Sequence, residues 1–292
     1  MSRFVLIGHP VEHSLSPPMH AAAYAELGLT HSYAVVDAPD EAAVAAVLRQ
    51  VSSGEIAGAN ITVPWKRVAL GLASRADPLA ERTNAANVWL REPSGAVVAH
   101  NTDVLALVEE LGRLAPRATR VSVIGSGGAA LAVLVACRKL GIDEVGVVSR
   151  SYRASEPKQR WKHAAELEAL GAELLPWPSP DSLEFARFAR SSQVIVQATS
   201  AGMTGGDPGE LVRDIVPFAE LDHDTLAYDV VYTPRVTPFL AAAARHGLRA
   251  EGGLGMLVAQ AALAFELWLE KAPSRRVMRE AAEQVLASKE RR

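Results

Sequence analysis

Cysteine is nearly absent. The 292-residue chain has one, Cys137, in an apolar stretch of helical spacing. A lone thiol forms no internal disulfide, which excludes a disulfide-stapled scaffold and makes a reducing compartment, the cytoplasm, the expected location. Cys137 itself reads as a small buried hydrophobe, not a nucleophile. Long apolar runs are missing too. The richest, residues 254–269, is broken by Gln260 and Glu266, so no segment is expected to span a membrane. Residues 4–7 read as a strand, without the charged, apolar and cleavage-site succession of a secretory signal. Positive charge is not in excess: the formal net charge of −3 leaves no footprint for nucleic acid. His9, His13 and His20 come nearest to a metal cluster, but their spacing fits no helical or finger pattern, so no metal is expected. Repeats and low-complexity tracts are lacking.

What the chain does hold is alternation. With 49% hydrophobic residues it has material for two cores. Strand-like runs at 4–7, 33–36 and 57–63 alternate with helical ones at 17–27 and 41–51, which implies parallel strands with helices on the faces. A second series places strands at 121–124, 145–149, 173–175, 194–197 and 226–231, with helices at 129–140 and 161–170: a second doubly wound unit. Helical spacing returns at 237–246, 256–270 and 276–287. The expected fold is therefore α/β with two domains. Residues 1–102 are completed by 240–292, and a Rossmann-like cofactor domain, 103–239, is inserted between them. Residues 152–180, polar and with four prolines, read as a loop-rich elaboration.

Gly125-Ser126-Gly127-Gly128-Ala129-Ala130 follows a strand and opens an apolar helix. Gly125 permits the tight turn, Gly127 lets the backbone approach a pyrophosphate, and Ala130 allows close helix–strand contact. The helix N-terminus offers free N–H groups to phosphate. At the end of the next strand a carboxylate would hold an adenosine 2′-hydroxyl. Here the chain has Ser149-Arg150-Ser151-Tyr152-Arg153, two guanidiniums and no acid, which suits a 2′-phosphate. NADP is the cofactor expected, with Arg150 as its main contact beside Ser149, Ser151 and Arg153.

Three polar clusters in the first half have no evident folding purpose. Ser14 and Ser16 precede a helix, where they could cap it or bind a carboxylate. Asn60-Ile61-Thr62-Val63-Pro64-Trp65-Lys66 ends a strand and presents a lysine. His100-Asn101-Thr102-Asp103 precedes a helix that Asp103 could cap. Gln260 is a polar side chain in an otherwise apolar helix and should want a partner.

In this order these segments resemble the shikimate dehydrogenase family, over essentially the whole chain. The resemblance rests on Gly8-His9-Pro10, His13-Ser14-Leu15-Ser16-Pro17 with His20, Asn60 to Lys66, Asn87, and Asn101-Thr102-Asp103. It continues through the glycine loop, Ala198-Thr199-Ser200-Ala201-Gly202-Met203, Asp229-Val230-Val231-Tyr232-Thr233-Pro234, and Gly253-Leu254-Gly255-Met256 through Gln260. It implies an N-terminal α/β substrate domain and a doubly wound NADP-binding domain, with the active site in the cleft between them. The implied activity is the reversible NADP-linked reduction of 3-dehydroshikimate to shikimate, by a protein without nucleic-acid or membrane partners, as monomer or homodimer. Lys66 and Asp103 are implied as the proton-transfer pair and Ser14 and Ser16 as carboxylate ligands. Asn60, Thr62, Asn87, Asp103 and Gln260 would bond the ring hydroxyls, with Tyr232 near substrate and nicotinamide. Thr199, Met203 and Gly253 are implied on the cofactor side, with Gly128 and Ala129 of the glycine loop.

The chain also departs from the family pattern. Asn84-Ala85-Ala86-Asn87-Val88 stands where Gly-Ala-Val-Asn-Thr is common. Val104 replaces a glycine, Ala21 an asparagine after His20, and Gln197 an asparagine. Quinate, an aminated analogue or another cyclic hydroxy acid therefore stays open as substrate. So does a catalytically silent member that binds nucleotide or metabolite for regulation.

Overall fold

The computed structural model describes residues 1–179 and 182–290. Pro180, the end of the proline-rich stretch, lies outside the described residues. Two compact units divide the chain, residues 1–106 with 257–292 and residues 107–256. Among the described residues no helix is long and apolar enough to cross a membrane.

In chain order the first unit contains β1 (Arg3–Gly8), α1 (Ser16–Glu26), β2 (Ser32–Asp37), α2 (Glu41–Ser53), β3 (Gly58–Ile61) and α3 (Lys66–Leu72). There follow β4 (Arg75–Ala76), α4 (Pro78–Thr83), β5 (Val88–Arg91), β6 (Val97–His100) and the start of α5 (Thr102–Leu114). The second unit holds β7 (Arg120–Ile124), α6 (Gly128–Lys139), β8 (Glu144–Val148), α7 (Ala164–Ala169), β9 (Glu173–Leu175) and α8 (Glu184–Arg190). It continues with β10 (Val194–Gln197), α9 (Glu210–Asp214), β11 (Leu226–Asp229), α10 (Pro238–Arg245) and β12 (Arg249–Gly252). The chain re-enters the first unit along α11 (Leu254–Leu269) and ends in α12 (Arg275–Glu290), which packs on α1.

The first sheet runs β2-β1-β3-β5-β6-β4. β1 pairs in parallel with β2 and β3, as the alternating pattern predicts. The hairpin β5–β6 then adds antiparallel strands that this pattern does not predict. On one face, Val5, Ile7, Val44, Val47, Ile61 and Trp89 form the core. The second sheet runs β12-β11-β10-β7-β8-β9, all parallel. Its order reverses between β7 and β10, and ligands bind such sheets at the carboxyl ends of strands flanking the reversal. Residues 240–256 differ from the boundary drawn on the sequence. α10 packs on β11 and β12, and β12 pairs with β11, so sheet hydrogen bonding holds this stretch in the second unit. Residues 130–137 of α6 are buried on every side, Cys137 among them. Burial pushes the Cys137 thiol up to about 12, so it stays protonated as core filling.

Candidate active site

Lys66 opens α3, and the loop before it is pinned at two points. The Trp65 indole donates to the Ala38 carbonyl (2.8 Å), and the Lys66 carbonyl accepts the Ala86 N–H (2.9 Å). Asp103 lies in the first turn of α5 but does not serve as the cap. Asn101 takes that part, accepting the Val104 N–H at 3.3 Å. The Asp103 carboxylate is thereby left to accept from Lys66 Nζ at Oδ2 (2.6 Å) and from Asn87 Nδ2 at Oδ1 (3.0 Å). With 28% of the lysine and 11% of the aspartate side chain exposed, a small ligand can reach the ammonium while the carboxylate stays fixed.

Asn87 holds this arrangement in register. Its Oδ1 accepts the Thr102 N–H (2.8 Å), so its Nδ2 must face Asp103, with Gln260 Oε1 at 3.4 Å. Gln260 in turn donates to the Leu257 carbonyl (2.8 Å), and the Gln260 carbonyl accepts from Thr102 Oγ1 (3.1 Å). Asn60, at the end of β3, donates to the Asn87 carbonyl (3.3 Å) and accepts from Tyr33 Oη (2.6 Å). Burial raises the Tyr33 phenol well above its ordinary value, so it remains a donor. Ser14, not Ser16, makes the local helix-entry bond, accepting the Ser16 N–H at 3.1 Å. Thus Lys66, Asp103, Asn87, Gln260 and Asn60 form one bonded set, and Tyr33 joins it through Asn60. The sequence does not single out Tyr33, because a tyrosine on a strand carries no signal of what its hydroxyl meets. Thr62 lies in the turn after β3, its N–H bonded to the Ile7 carbonyl.

The side chains at the departing positions lie outside this bonded set, and Ala86, where valine is common, meets it by its backbone N–H on the Lys66 carbonyl. Asn84 takes φ 48°, the left-handed conformation that favours glycine and that asparagine tolerates. Val88 and Val104 are fully buried, and Ala21 is exposed on α1. Gln197 is fully buried. Its amide donates to the Ala201 carbonyl (2.9 Å), and its Oε1 accepts the Thr199 N–H (2.6 Å), which shapes the turn after β10.

The second unit has a hollow of about 280 Å³ at the carboxyl ends of β7, β8 and β10. Gly125, Ser126, Ser149, Arg150, Ser151 and Thr199 line it, together with Lys162 and Trp177. Its two key glycines differ in kind. Gly125 has φ 122°, and a Cβ there would lie 2.8 Å from Thr199 Cγ2, so the protein itself demands glycine. At Gly127 nothing among the described residues lies within 4 Å of an added Cβ, so space is kept open at the start of α6. Among the described residues no side chain caps that helix, and its first-turn N–H groups can meet a pyrophosphate. Hydroxyls run along the rim, Ser126 to Ser149 (3.1 Å) and Ser149 to Ser151 (3.1 Å). A dinucleotide bearing a 2′-phosphate fits this donor set.

Not every expected cofactor residue lines the hollow. Arg153 is absent from its wall, and its carbonyl accepts from the Trp161 indole (3.2 Å). Met203 is 46% exposed, and Gly253 follows β12. Tyr232 is half-buried in the segment after β11, its phenol raised by burial. Lys162 and Trp177 come from the proline-rich stretch. Tyr152 shapes that wall by donating to the Lys162 carbonyl (3.1 Å) and stacking on Trp161 at 4.6 Å. Nothing local in the sequence marks these side chains as lining a site.

Comparison with known proteins identifies the family. The shikimate dehydrogenase substrate binding domain matches residues 6–89, and the shikimate 5′-dehydrogenase C-terminal domain matches residues 253–283. Shikimate dehydrogenase (NADP(+)) of Methanopyrus kandleri is 37% identical over 94% of this chain and 93% of its own length. The enzyme of that name from Thermus thermophilus is 37% identical over 98% of this chain and 99% of its own. A crystal structure of Thermus thermophilus shikimate 5-dehydrogenase, in complex with NADP(H) and shikimate, superposes with a TM-score of 0.82 at 36% identity. It covers 98% of this chain and 100% of that one. Identity at this level over nearly the full length shows that the chain belongs to the shikimate dehydrogenase family.

Proposed function

We propose that the chain catalyses the reversible NADP-linked reduction of 3-dehydroshikimate to shikimate, with Lys66 and Asp103 as the proton-transfer pair. The observation that carries this is the Lys66 ammonium, 2.6 Å from a carboxylate that Asn87 holds from its other oxygen. NADPH, when bound, supplies the hydride. Negative charge grows on the ketone oxygen as the carbon is reduced. Lys66 stabilises that charge and delivers the proton, and Asp103 keeps the ammonium aimed and compensates the change in its charge. Lys66 takes the proton back in the reverse direction. Ser14 and Ser16 would hold the ring carboxylate, and Asn60, Thr62, Asn87 and Gln260 the ring hydroxyls, with Tyr232 as a further contact. Gly125 to Ala129, Thr199 and the Ser149–Arg150–Ser151 run would hold the dinucleotide, and we assign Arg150 to its 2′-phosphate. Tyr232 apart, ring binding is thus assigned to residues 1–106 with the C-terminal helices, and nucleotide binding to the unit built on the all-parallel sheet. The buried free thiol and the NADP-linked chemistry fit the cytoplasm.

The test is a spectrophotometric assay of the purified protein with NADPH and 3-dehydroshikimate. Oxidation of NADPH is expected, faster than that of NADH. Replacing Lys66 by Ala lowers kcat by about 10²–10⁴-fold with a smaller change in KM. A Lys66→Ala enzyme that turns over normally would overturn the mechanism.

A further inference from the structure

The guanidinium assigned to the cofactor's 2′-phosphate already has an anionic partner. Arg150 forms an ion pair with Asp207, a residue of the loop after β10. Asp207 is built into that loop. Its backbone carbonyl accepts the Gly202 N–H (2.7 Å), and its other carboxylate oxygen accepts the Gly209 N–H (3.1 Å). The loop closes tightly: Gly209 has φ 94°, and a Cβ there would lie 2.9 Å from the Gly202 nitrogen. Thr204 N–H ties the same loop to the Thr233 carbonyl (3.1 Å). The Asp207 side chain is 27% exposed and that of Arg150 54%, so the carboxylate is the fixed partner and the guanidinium the movable one.

We propose that Asp207 is a cofactor-specificity residue. It occupies Arg150 as an internal counter-ion, and a 2′-phosphate must displace or share it. A phosphate of charge near −2 next to a fixed carboxylate meets like-charge repulsion and a rival for the same guanidinium donors. An adenosine 2′-hydroxyl meets neither. Asp207 therefore lowers affinity for the phosphorylated dinucleotide selectively, which narrows discrimination against NAD and eases release of NADP. This rests on the assignment of Arg150 to the 2′-phosphate.

The test uses the full-length protein and compares Asp207→Asn with Arg150→Gln. Asparagine keeps the acceptor for the Gly209 N–H, so the loop retains its closure and only the charge is removed. Affinities for NADPH, NADH, adenosine 2′,5′-bisphosphate and 5′-AMP are measured by titration. In Asp207→Asn, NADPH and the bisphosphate are expected to bind about three- to tenfold more tightly, with NADH and 5′-AMP changed less than twofold. Unchanged or weaker NADPH binding in that variant overturns the proposal, as does equal tightening for 5′-AMP. Arg150→Gln tests the underlying assignment separately. It should lose at least tenfold in affinity for the bisphosphate and little for 5′-AMP. If it binds both as the parent does, the 2′-phosphate assignment itself falls.

Discussion

Two buried titratable side chains give the molecule a pH-dependence of stability at the scale of single residues. His20 is fully buried, both ring nitrogens lack a partner among the described residues, it stacks 4.1 Å from Tyr33, and burial lowers its pKa to about 3. Its unfolded value is about 6.5. The native state therefore refuses a proton that the unfolded chain accepts, and stability falls as pH drops from about 6.5 toward 3. At pH 5 the loss is about 2 kcal/mol. Asp229 has the opposite sign. Burial raises it to about 7, against bonds from Thr237 and the Val231 N–H that lower it. Its contribution is complete below the unfolded value near 3.9 and is lost as pH rises to about 7, roughly 2–3 kcal/mol between pH 5 and 7. Melting temperatures across pH 4 to 8 should show His20→Phe flattening the acid limb and Asp229→Asn the limb toward neutral pH. Parallel curves for variant and parent would contradict these assignments.

At the scale of the element, the β7–α6 turn separates folding from binding. Gly125 is required by its positive φ and by Thr199 behind it, whereas Gly127 faces open space. Gly125→Ala should therefore cost about 1–3 kcal/mol of stability and lower the melting temperature. Gly127→Ala should melt like the parent yet bind NADPH more weakly, because its methyl group intrudes only where a pyrophosphate would lie. Thermal melts and cofactor titrations on the two variants decide it. Equal NADPH affinity for parent and Gly127→Ala would show that the dinucleotide does not approach the turn. The capping at α5 has the same division of labour. Asn101 satisfies the helix end, which leaves the Asp103 carboxylate for Lys66.

At the scale of the whole molecule the open question is the ring acid. The positions that differ from the family pattern are a left-handed turn residue, two buried core valines, one buried and one exposed alanine and a glutamine that organises a turn. None of their side chains belongs to the bonded set around Lys66. In a panel of shikimate, quinate and an aminated analogue assayed with NADP⁺, shikimate should have the highest kcat/KM. Quinate turning over as efficiently would show that the departures do reshape the ring site.

Sequence alone determined what depends on neighbours along the chain. The βαβ alternation, the glycine turn opening an apolar helix and the arginine–serine run at the end of β8 are local patterns, since strand period, turn conformation and helix capping act over a few residues. Family resemblance then named Lys66, Asp103 and their companions. Only the tertiary structure decided which side chains meet. Tyr33 reaches Asn60 across 27 positions and Arg150 reaches Asp207 across 57, while Lys162 and Trp177 close a wall from a stretch with no telling pattern. The β5–β6 hairpin and the placement of residues 240–256 likewise follow from sheet pairing. Such contacts depend on where distant segments pack, and residue type at one position carries no record of a partner brought close only by the fold.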